Sequence, residues 1–269
     1  MAARPERSAA RGSAPGAVDI TLSESEGVRY LHFGTEWVQG AMRLDHPWRL
    51  ELEYQQQMMA PLLFAPEPRQ VTQLGLGAAA LTKFCHRILP ASHIRTVEIN
   101  PQVISVARQW FALPPDDARL AIEQADAGAY VRRLRADTDW LQVDLYDAAA
   151  RGPVFDDAAF YQACHDALRP GGVAAFNLFG STLQASLEPL ADAFGRRWLR
   201  LPRSAAGNTV VLGFSGEAQA WDLDTLALRA QAIEQRWGLA ALDWLAGMRM
   251  PNARRFLPDG TGIVKQQRL

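Results

Sequence analysis

One stretch constrains the fold more than any other: in residues 71–81 an apolar run ends in Gly-Leu-Gly and continues directly into an alanine-rich segment. A strand, a tight turn and a helix start in this order are how a parallel α/β sheet holds a nucleotide. Gly75 and Gly77 can adopt positive φ, and without a Cβ they let the backbone approach a ligand closely. We therefore predict a ligand-binding turn at these two glycines.

A carboxylate follows this turn at the spacing that nucleotide-binding sheets use. The next predicted strand covers residues 94–99 and places Glu98 near its carboxyl end. Carboxylate oxygens only accept hydrogen bonds, so Glu98 can accept two of them from a ribose diol. Glu98 is therefore a predicted ligand contact.

Composition excludes several classes of protein. The 28 basic and 29 acidic residues give a net charge of −1, which disfavours a nucleic-acid partner. The two cysteines, Cys85 and Cys164, stand far apart and outside any zinc-ligand spacing, as is typical of a reducing compartment without disulfides. No run of about 18 apolar residues is present, and the N-terminus lacks an apolar signal core. We expect a cytoplasmic protein without a membrane span.

The chain divides into four predicted parts. Residues 1–17 contain almost no large apolar side chains and are expected to form a disordered tail. Residues 18–50 read as a small antiparallel unit, with a β-hairpin over 19–33, a turn at 23–27 and a third strand at 37–42. Residues 51–250 are expected to form the nucleoside-binding domain, which would also carry any catalytic site, and residues 251–269 a C-terminal tail.

Strands and helices alternate along the large domain, which predicts an α/β fold with a doubly wound, mostly parallel, Rossmann-like sheet. A helix over 50–64, bent or ended by Pro61, precedes the first strand. A helix over 100–110 is expected to begin with Asn100 as N-cap and Pro101 at its first position. The other expected helices cover 79–89, 127–134, 158–168 and 222–237, with one more after Gly180 and a short one before Pro251; strands are expected at 120–124, 139–144 and 173–178 and as a pair near 198–201 and 209–214.

Acidic residues also follow the later strands. Asp126 comes after the third predicted strand, and Asp144 and Asp147 come after the fourth. Ligands of open parallel sheets bind beyond the carboxyl ends of the strands, so these side chains are expected near Glu98. Asp126 and the backbone of Ala127 suit the exocyclic amine of adenine, and a carboxylate-rich pocket suits a cationic sulfonium.

Five short motifs of this chain recur together in one enzyme family: Val-Glu-Ile-Asn at 97–100, Ala-Asp-Ala at 125–127, Asp-Leu-Tyr-Asp at 144–147, Phe-Tyr at 160–161 and Leu-Arg-Pro-Gly-Gly at 168–172. Through them, over roughly residues 18–179, the chain resembles the polyamine aminopropyltransferases, or spermidine synthases. The resemblance implies a fold of the class I methyltransferase type and a homodimer.

The resemblance also implies a reaction: transfer of an aminopropyl group from decarboxylated S-adenosylmethionine to a diamine such as putrescine, with no metal. Asp144 takes the place of the catalytic base. The acceptor amine is expected to meet Asp147, Gln56 and Tyr146. The co-substrate is expected to meet Gly75, Gly77, Glu98, Asp126 and Ala127.

Two departures from the family pattern bear on this activity. The family's glycine loop carries an Asp that pairs with the amine of the aminopropyl group, and that position is Ala78 here. The family's Tyr-His-Glu before the paired methionines reads Gln-Gln-Gln at 55–57. If Ala78 has weakened the activity, Ala78→Asp is expected to raise turnover.

Three alternatives therefore stay open. An S-adenosylmethionine-dependent methyltransferase on the same fold fits the loss at Ala78. A catalytically silent nucleoside-binding homologue, dimerising through its N-terminal hairpin, also fits that loss. A dehydrogenase is least favoured, because Asp126 and the Asp-Leu-Tyr-Asp loop would then have no task.

Overall fold

The computed structural model describes residues 19–146, 154–179, 183–195, 197–217 and 221–249. The predicted tails at 1–17 and 251–269 and the predicted acceptor contact Asp147 lie outside these ranges. Among the described helices, none has the length and hydropathy needed to cross a membrane.

A small antiparallel sheet forms first, with the strand order β1-β2-β3. Its hairpin turn consists of Glu26 and Gly27, both at positive φ (52° and 75°), which matches the right-handed twist of the two strands. The turn is therefore tighter than the predicted 23–27, and the third strand begins three residues later than predicted. The strands are β1 Ile20–Ser25, β2 Val28–Phe33 and β3 Gly40–Arg43.

The helical segment predicted over 50–64, bent or ended by Pro61, is interrupted before this proline and consists of two short helices, α1 Glu53–Gln57 and α2 Pro61–Phe64. Pro61 is the first residue of α2, where its missing N–H costs nothing. Inside one continuous helix its ring would clash with the carbonyl of Gln57, so the chain breaks here.

The main sheet confirms the predicted α/β class. Its seven strands run in the order β6-β5-β4-β7-β8-β10-β9, parallel from β6 to β8 and antiparallel in β10 and β9. The strands are β4 Gln70–Leu74, β5 His93–Glu98, β6 Leu120–Gln124, β7 Thr138–Val143, β8 Leu168–Phe179, β9 Trp198–Arg200 and β10 Asn208–Phe214. The helices are α3 Ala80–Ile88, α4 Pro101–Trp110, α5 Ala127–Val131, α6 Ala158–Ala167, α7 Leu183–Phe194, α8 Leu223–Trp237 and α9 Ala241–Gly247.

The strand order determines where along the main sheet a ligand is expected to bind. The chain moves outward from β4 through β5 to β6 and then returns to β7 on the other side of β4. The connections leaving β4 and β7 therefore diverge, and the sheet has its topological switch point between them.

Polar side chains begin four of the helices. Asn100, Asp126, Asp157 and Asp222 each accept a hydrogen bond from a backbone N–H in the first turn of α4, α5, α6 and α8. These caps satisfy backbone donors that the helix leaves unpaired. The predicted N-cap at Asn100 is confirmed.

Strand β8 begins at Leu168, five residues before the predicted start at 173. The Arg-Pro-Gly-Gly segment does not form a free turn, because the residue after β10 pairs with it. Gly171 N donates to Ser215 O, and Ser215 N donates to Gly172 O, each at 3.1 Å. Long-range pairing thus extends the strand through residues that usually end one.

Apolar side chains cover both faces of the main sheet, and Trp140 at its centre is fully buried. A third apolar cluster joins the N-terminal sheet to the end of α4. It contains Leu31, Met42, Ala78 and Phe111. This cluster fixes the N-terminal sheet beside the glycine turn.

Candidate active site

A cleft of about 610 Å³ opens at the carboxyl edge of β4, β5 and β7. Its size is within the range of small-molecule sites in proteins. Seven of the nine predicted site residues line it: Gly75, Gly77, Glu98, Asp126, Ala127, Asp144 and Tyr146.

The two glycines of the turn are required for different reasons. Gly75 has φ of +96°, and a Cβ there would overlap the main-chain carbonyl oxygen of Asp144. Gly77 has φ of +50°, and its Cβ would lie 3.3 Å from the carbonyl oxygen of Gln39. Steric overlap and positive φ together exclude a side chain at Gly75, whereas at Gly77 the left-handed φ is the main constraint, because the Gln39 carbonyl would have to shift by only a few tenths of an ångström.

Glu98 is held beside the glycine turn by backbone donors. Its Oε2 accepts from the N–H of Leu76 at 3.2 Å, and its Oε1 accepts from the N–H of Asn100 at 2.9 Å. Burial raises the pKa of Glu98, while these backbone hydrogen bonds oppose that rise. Glu98 lines the cleft, and a carboxylate only accepts hydrogen bonds, which is the partner that a diol needs.

Asp126 begins α5 on the same edge of the sheet. Its Oδ1 accepts from the N–H of Ala129 at 2.7 Å, which fixes the carboxylate at the helix start. Asp126 is exposed, and the adjacent Ala127 is buried at the wall of the cleft. The structure thus brings Asp126, Ala127 and Glu98 to one cleft.

Asp144 follows β7 and receives one hydrogen bond on each carboxylate oxygen. Asn177 Nδ2 donates to Oδ1 at 2.8 Å, and the Tyr54 hydroxyl donates to Oδ2 at 3.3 Å. Burial raises the pKa of Asp144, and the hydrogen bonds from Asn177 and Tyr54 oppose this rise. Asp144 is therefore a carboxylate held in place by neutral donors in a partly desolvated cleft.

Two tyrosines beside Asp144 stay protonated. Burial, followed by the negative charge of Asp144, raises the pKa of both Tyr54 and Tyr146 above the usual tyrosine range. The Tyr146 hydroxyl donates to the carbonyl oxygen of Asn177 at 3.1 Å. Both phenols consequently act as hydrogen-bond donors around Asp144 and not as bases.

Gln56 does not reach this cleft. Its Nε2 donates to the carbonyl oxygen of Leu50 at 3.0 Å, and the residue lines a separate polar cleft beside Arg43 and Glu51. The structure therefore separates Gln56 from Asp144, contrary to the expectation of one shared acceptor site. The residue of this segment that contacts Asp144 is Tyr54.

Ala78 also lies away from the cleft lining. Its side chain is only 3% exposed and packs in the apolar cluster with Leu31, Met42 and Phe111. A Cβ added to Gly40 would overlap that of Ala78, so the position has little room for a larger side chain. The loss of the family's Asp at position 78 thus coincides with a well-packed apolar contact.

We expect Ala78→Asp to destabilise the fold instead of raising turnover. A carboxylate here would be buried among apolar side chains, and uncompensated burial of a charge is among the costliest single changes. The expected fall in Tm is at least about 6 °C. Thermal unfolding measures this fall in Tm. The control is Ala240→Asp, which adds the same charge at an exposed position. A raised turnover with an unchanged Tm would contradict this placement.

Tyr54 and Asn177 were not among the predicted site residues, although each carries a sequence signal. Asn177 is the one polar residue in the apolar run of β8 from 173 to 179. Tyr54 directly precedes the three glutamines and lies one residue before Gln55, the position that corresponds to the family's Tyr when the Tyr-His-Glu motif is aligned on Met58 and Met59.

Comparison with known proteins identifies the family. The model of the spermine/spermidine synthase domain matches residues 51–179. The polyamine aminopropyltransferase of Neisseria meningitidis serogroup B is 33% identical over 255 residues, covering 94% of this chain and 97% of the relative. That of Chromobacterium violaceum is 32% identical over 250 residues, covering 92% and 96%.

Similar solved structures share this fold and include both spermidine synthases and a methyltransferase-like protein. A probable spermidine synthase from Corynebacterium glutamicum superimposes with a TM-score of 0.71 at 17% identity, over 98% of this chain and 99% of that chain. A spermidine synthase in complex with the transition-state analogue AdoDATO gives 0.64 at 18% identity, over 78% and 72%. Human methyltransferase-like protein 13 in complex with SAH gives 0.59 at 27% identity, over 68% and 91%. With relatives at about one-third identity along nearly their whole length, this chain belongs to the spermine/spermidine synthase family of aminopropyl-transferring enzymes.

Proposed function

We propose that this protein transfers the aminopropyl group of decarboxylated S-adenosylmethionine to a diamine such as putrescine. The observation that carries the proposal is the Asp144 carboxylate, held by Asn177 and Tyr54 on the same cleft as the glycine turn and Glu98. Family membership supports the same reaction class.

The adenosyl group of the co-substrate is proposed to bind along the β4 and β5 edge. Gly75 and Gly77 let the backbone approach it, and Glu98 accepts hydrogen bonds from the ribose. Asp126 and the backbone of Ala127 contact adenine. That two structural neighbours were solved with AdoDATO and with SAH supports an adenosyl co-substrate.

In the proposed reaction the acceptor nitrogen attacks the carbon next to the sulfonium. A C–N bond forms, the C–S bond breaks with its electron pair going to sulfur, and methylthioadenosine leaves as a neutral thioether. The leaving group needs no acid. The amine, with an unperturbed pKa of ~10.4, must lose a proton before or during the attack, and Asp144 Oδ2 or Oδ1 accepts it.

The surroundings of Asp144 suit this role. Burial raises its pKa, which increases its affinity for the proton, while the donors Asn177 and Tyr54 fix its orientation. Since the pKa gap to an alkylammonium is still large, positioning must supply most of the effect. Tyr146 lines the cleft on the side proposed for the acceptor. The contact of Asp147 with the acceptor stays a prediction. The homodimer and the cytoplasmic location also stay predictions.

Glu98→Ala is expected to weaken methylthioadenosine binding at least about tenfold, because two hydrogen bonds to a charged acceptor are lost. Calorimetric titration measures the two affinities. Glu67→Ala, an exposed glutamate before β4, is the control and is expected to bind like the parent. Equal affinity of Glu98→Ala and the parent would remove Glu98 from the site.

A second candidate is methyl transfer from S-adenosylmethionine. It is favoured by the 27% identity to human methyltransferase-like protein 13 and by the apolar packing of Ala78, where the family has an Asp for the donor amine. The donor distinguishes the two reactions, because only S-adenosylmethionine retains the carboxylate.

Titration with three ligands tests the proposal at the binding step. The aminopropyltransferase reading predicts that methylthioadenosine and decarboxylated S-adenosylmethionine bind, and that S-adenosylmethionine binds at least about tenfold more weakly, a difference of ~1.4 kcal/mol. The reverse preference would favour the methyltransferase.

A further inference from the structure

A chain of largely buried polar side chains continues from Asp144 along the wall of the cleft, which Asn177 and Asn208 also line. Asn177 in β8, which donates to Asp144, accepts through its Oδ1 from Asn208 Nδ2 at 3.0 Å. Ser204 lies behind Asn208, whose backbone N–H donates to Ser204 Oγ at 3.0 Å. Asn177, Asn208 and Ser204 are only 2%, 8% and 4% exposed.

The direction of each hydrogen bond follows from the two ends of an amide. An asparagine side chain has an oxygen that only accepts and a nitrogen that only donates. Because Asn208 gives its Nδ2 to the oxygen of Asn177, Asn177 must turn its own Nδ2 toward Asp144. Ser204 Oγ lies 3.5 Å from Asn208 Oδ1, which leaves the nitrogen of Asn208 facing Asn177.

The sheet places these residues where they can act on each other. Strands β8 and β10 are antiparallel, with Asn208 opposite Phe179 and Val210 opposite Asn177. Asn177 and Asn208 are thus diagonal neighbours, within reach of each other on one face of the sheet.

We propose that Asn208 is a positioning residue: it holds the Asn177 amide with its nitrogen toward Asp144 and thereby keeps that carboxylate ionised and oriented toward the cleft. Without Asn208 the Asn177 amide is free to rotate, and its oxygen would then face a carboxylate. This role rests on the proposed function of Asp144 as base, although the hydrogen-bond chain itself does not depend on it.

The side chains that face Asp144 determine how its pKa would change when the hydrogen bond from Asn208 to Asn177 is lost. Its two oxygens meet Asn177 from β8 and Tyr54 from α1, and the phenol of Tyr146 is also close enough to feel its charge. Both phenols stay protonated, so Asn177 and Tyr54 are the donors that oppose the effect of burial. Other carboxylates line the same cleft at Glu36, Glu53, Glu98 and Asp126.

A hydrogen bond to the ionised form lowers a carboxyl pKa, so its loss must raise the pKa of Asp144. A base has to be ionised, and kcat/KM falls as the pH falls through the pKa of the free enzyme's base. In Asn208→Leu the acidic limb is therefore expected to move up by about one pH unit or more, with kcat lowered about tenfold to hundredfold. The affinity for methylthioadenosine should stay unchanged.

The test compares Asn208→Leu with Thr209→Val, a near-isosteric change at the next buried residue of β10. Besides the pH profile, the carboxyl pKa of Asp144 is titrated by NMR in protein labelled with ¹³C-aspartate, its signal assigned from Asp144→Asn. The midpoint of the Asp144 titration is expected to rise in Asn208→Leu and to remain unchanged in Thr209→Val. Should the leucine variant not fold, Asn208→Ser, whose hydroxyl is too short to reach Asn177, replaces it.

An unchanged Asp144 midpoint in a folded Asn208→Leu or Asn208→Ser protein overturns the proposal. A midpoint that rises equally in Thr209→Val overturns it as well, since the effect would not be specific. The NMR titration needs no turnover, so a parent that proves inactive refutes the proposed function and leaves the test of Asn208 intact.

Discussion

Asp144→Asn is expected to lower kcat by about 10²–10⁴-fold while leaving methylthioadenosine affinity unchanged. This range is what a positioned general base contributes. Asparagine is nearly isosteric and still accepts a hydrogen bond from Asn177 or Tyr54, but it cannot take the proton of the acceptor amine. Steady-state kinetics with the decarboxylated donor and putrescine, together with calorimetry, measure both quantities.

The matched control is Asp224→Asn, at an exposed position in α8 remote from the cleft, which is expected to keep full turnover. A raised KM for the acceptor with unchanged kcat would assign Asp144 to binding instead of proton transfer. Full turnover of Asp144→Asn in an active parent background would remove Asp144 from the chemistry.

Gly75→Ala is expected to be the most damaging change in the glycine turn. The new Cβ has to occupy the space of the Asp144 carbonyl oxygen while the residue holds φ of +96°, so the segment carrying Asp144 must move. We expect a loss of more than about 3 kcal/mol in the free energy of unfolding. Any folded fraction is expected to lose turnover, since a displacement of about 1 Å is enough to disrupt a catalytic geometry.

Gly27→Ala is the control variant that measures the cost of positive φ without steric overlap. Gly27 also has positive φ (75°), yet a Cβ there meets nothing within 4 Å. Its substitution is expected to cost only the left-handed strain of about 1–2 kcal/mol and to leave activity intact. Equal costs for both variants in denaturant unfolding would show that the contact between the glycine turn and Asp144 is unimportant.

Local sequence patterns predicted most of the main sheet, because the starts and ends of its strands and helices are determined largely by residues close in sequence. The Gly-x-Gly turn predicted β4 and α3, and Asn100 predicted the start of α4. The errors arose where distant residues decide: Ser215 pairs with Gly171 and Gly172 and extends β8 backwards. The sequence predicted an interruption at Pro61, but it did not predict that Pro61 is the first residue of a second helix.

The candidate site was predictable to the extent that topology fixes it. Parallel strands end at one edge, so Glu98, Asp126 and Asp144 had to approach each other. Tyr54 and Asn208 arrive from segments whose placement depends on tertiary packing. The direction of Ala78 depends on the left-handed Gly77 and Ala79 on either side, and no pattern predicts positive φ at an alanine.

One incubation series with mass-spectrometric detection of products distinguishes aminopropyl transfer from methyl transfer. The purified protein is given putrescine with either decarboxylated S-adenosylmethionine or S-adenosylmethionine, and Asp144→Asn is run in parallel. Aminopropyl transfer with Asp144 as the base predicts spermidine and methylthioadenosine in equal amounts from the decarboxylated donor, with the rate about 10²–10⁴-fold lower in Asp144→Asn. A methylated product and S-adenosylhomocysteine from S-adenosylmethionine, with no spermidine from the decarboxylated donor, would contradict it.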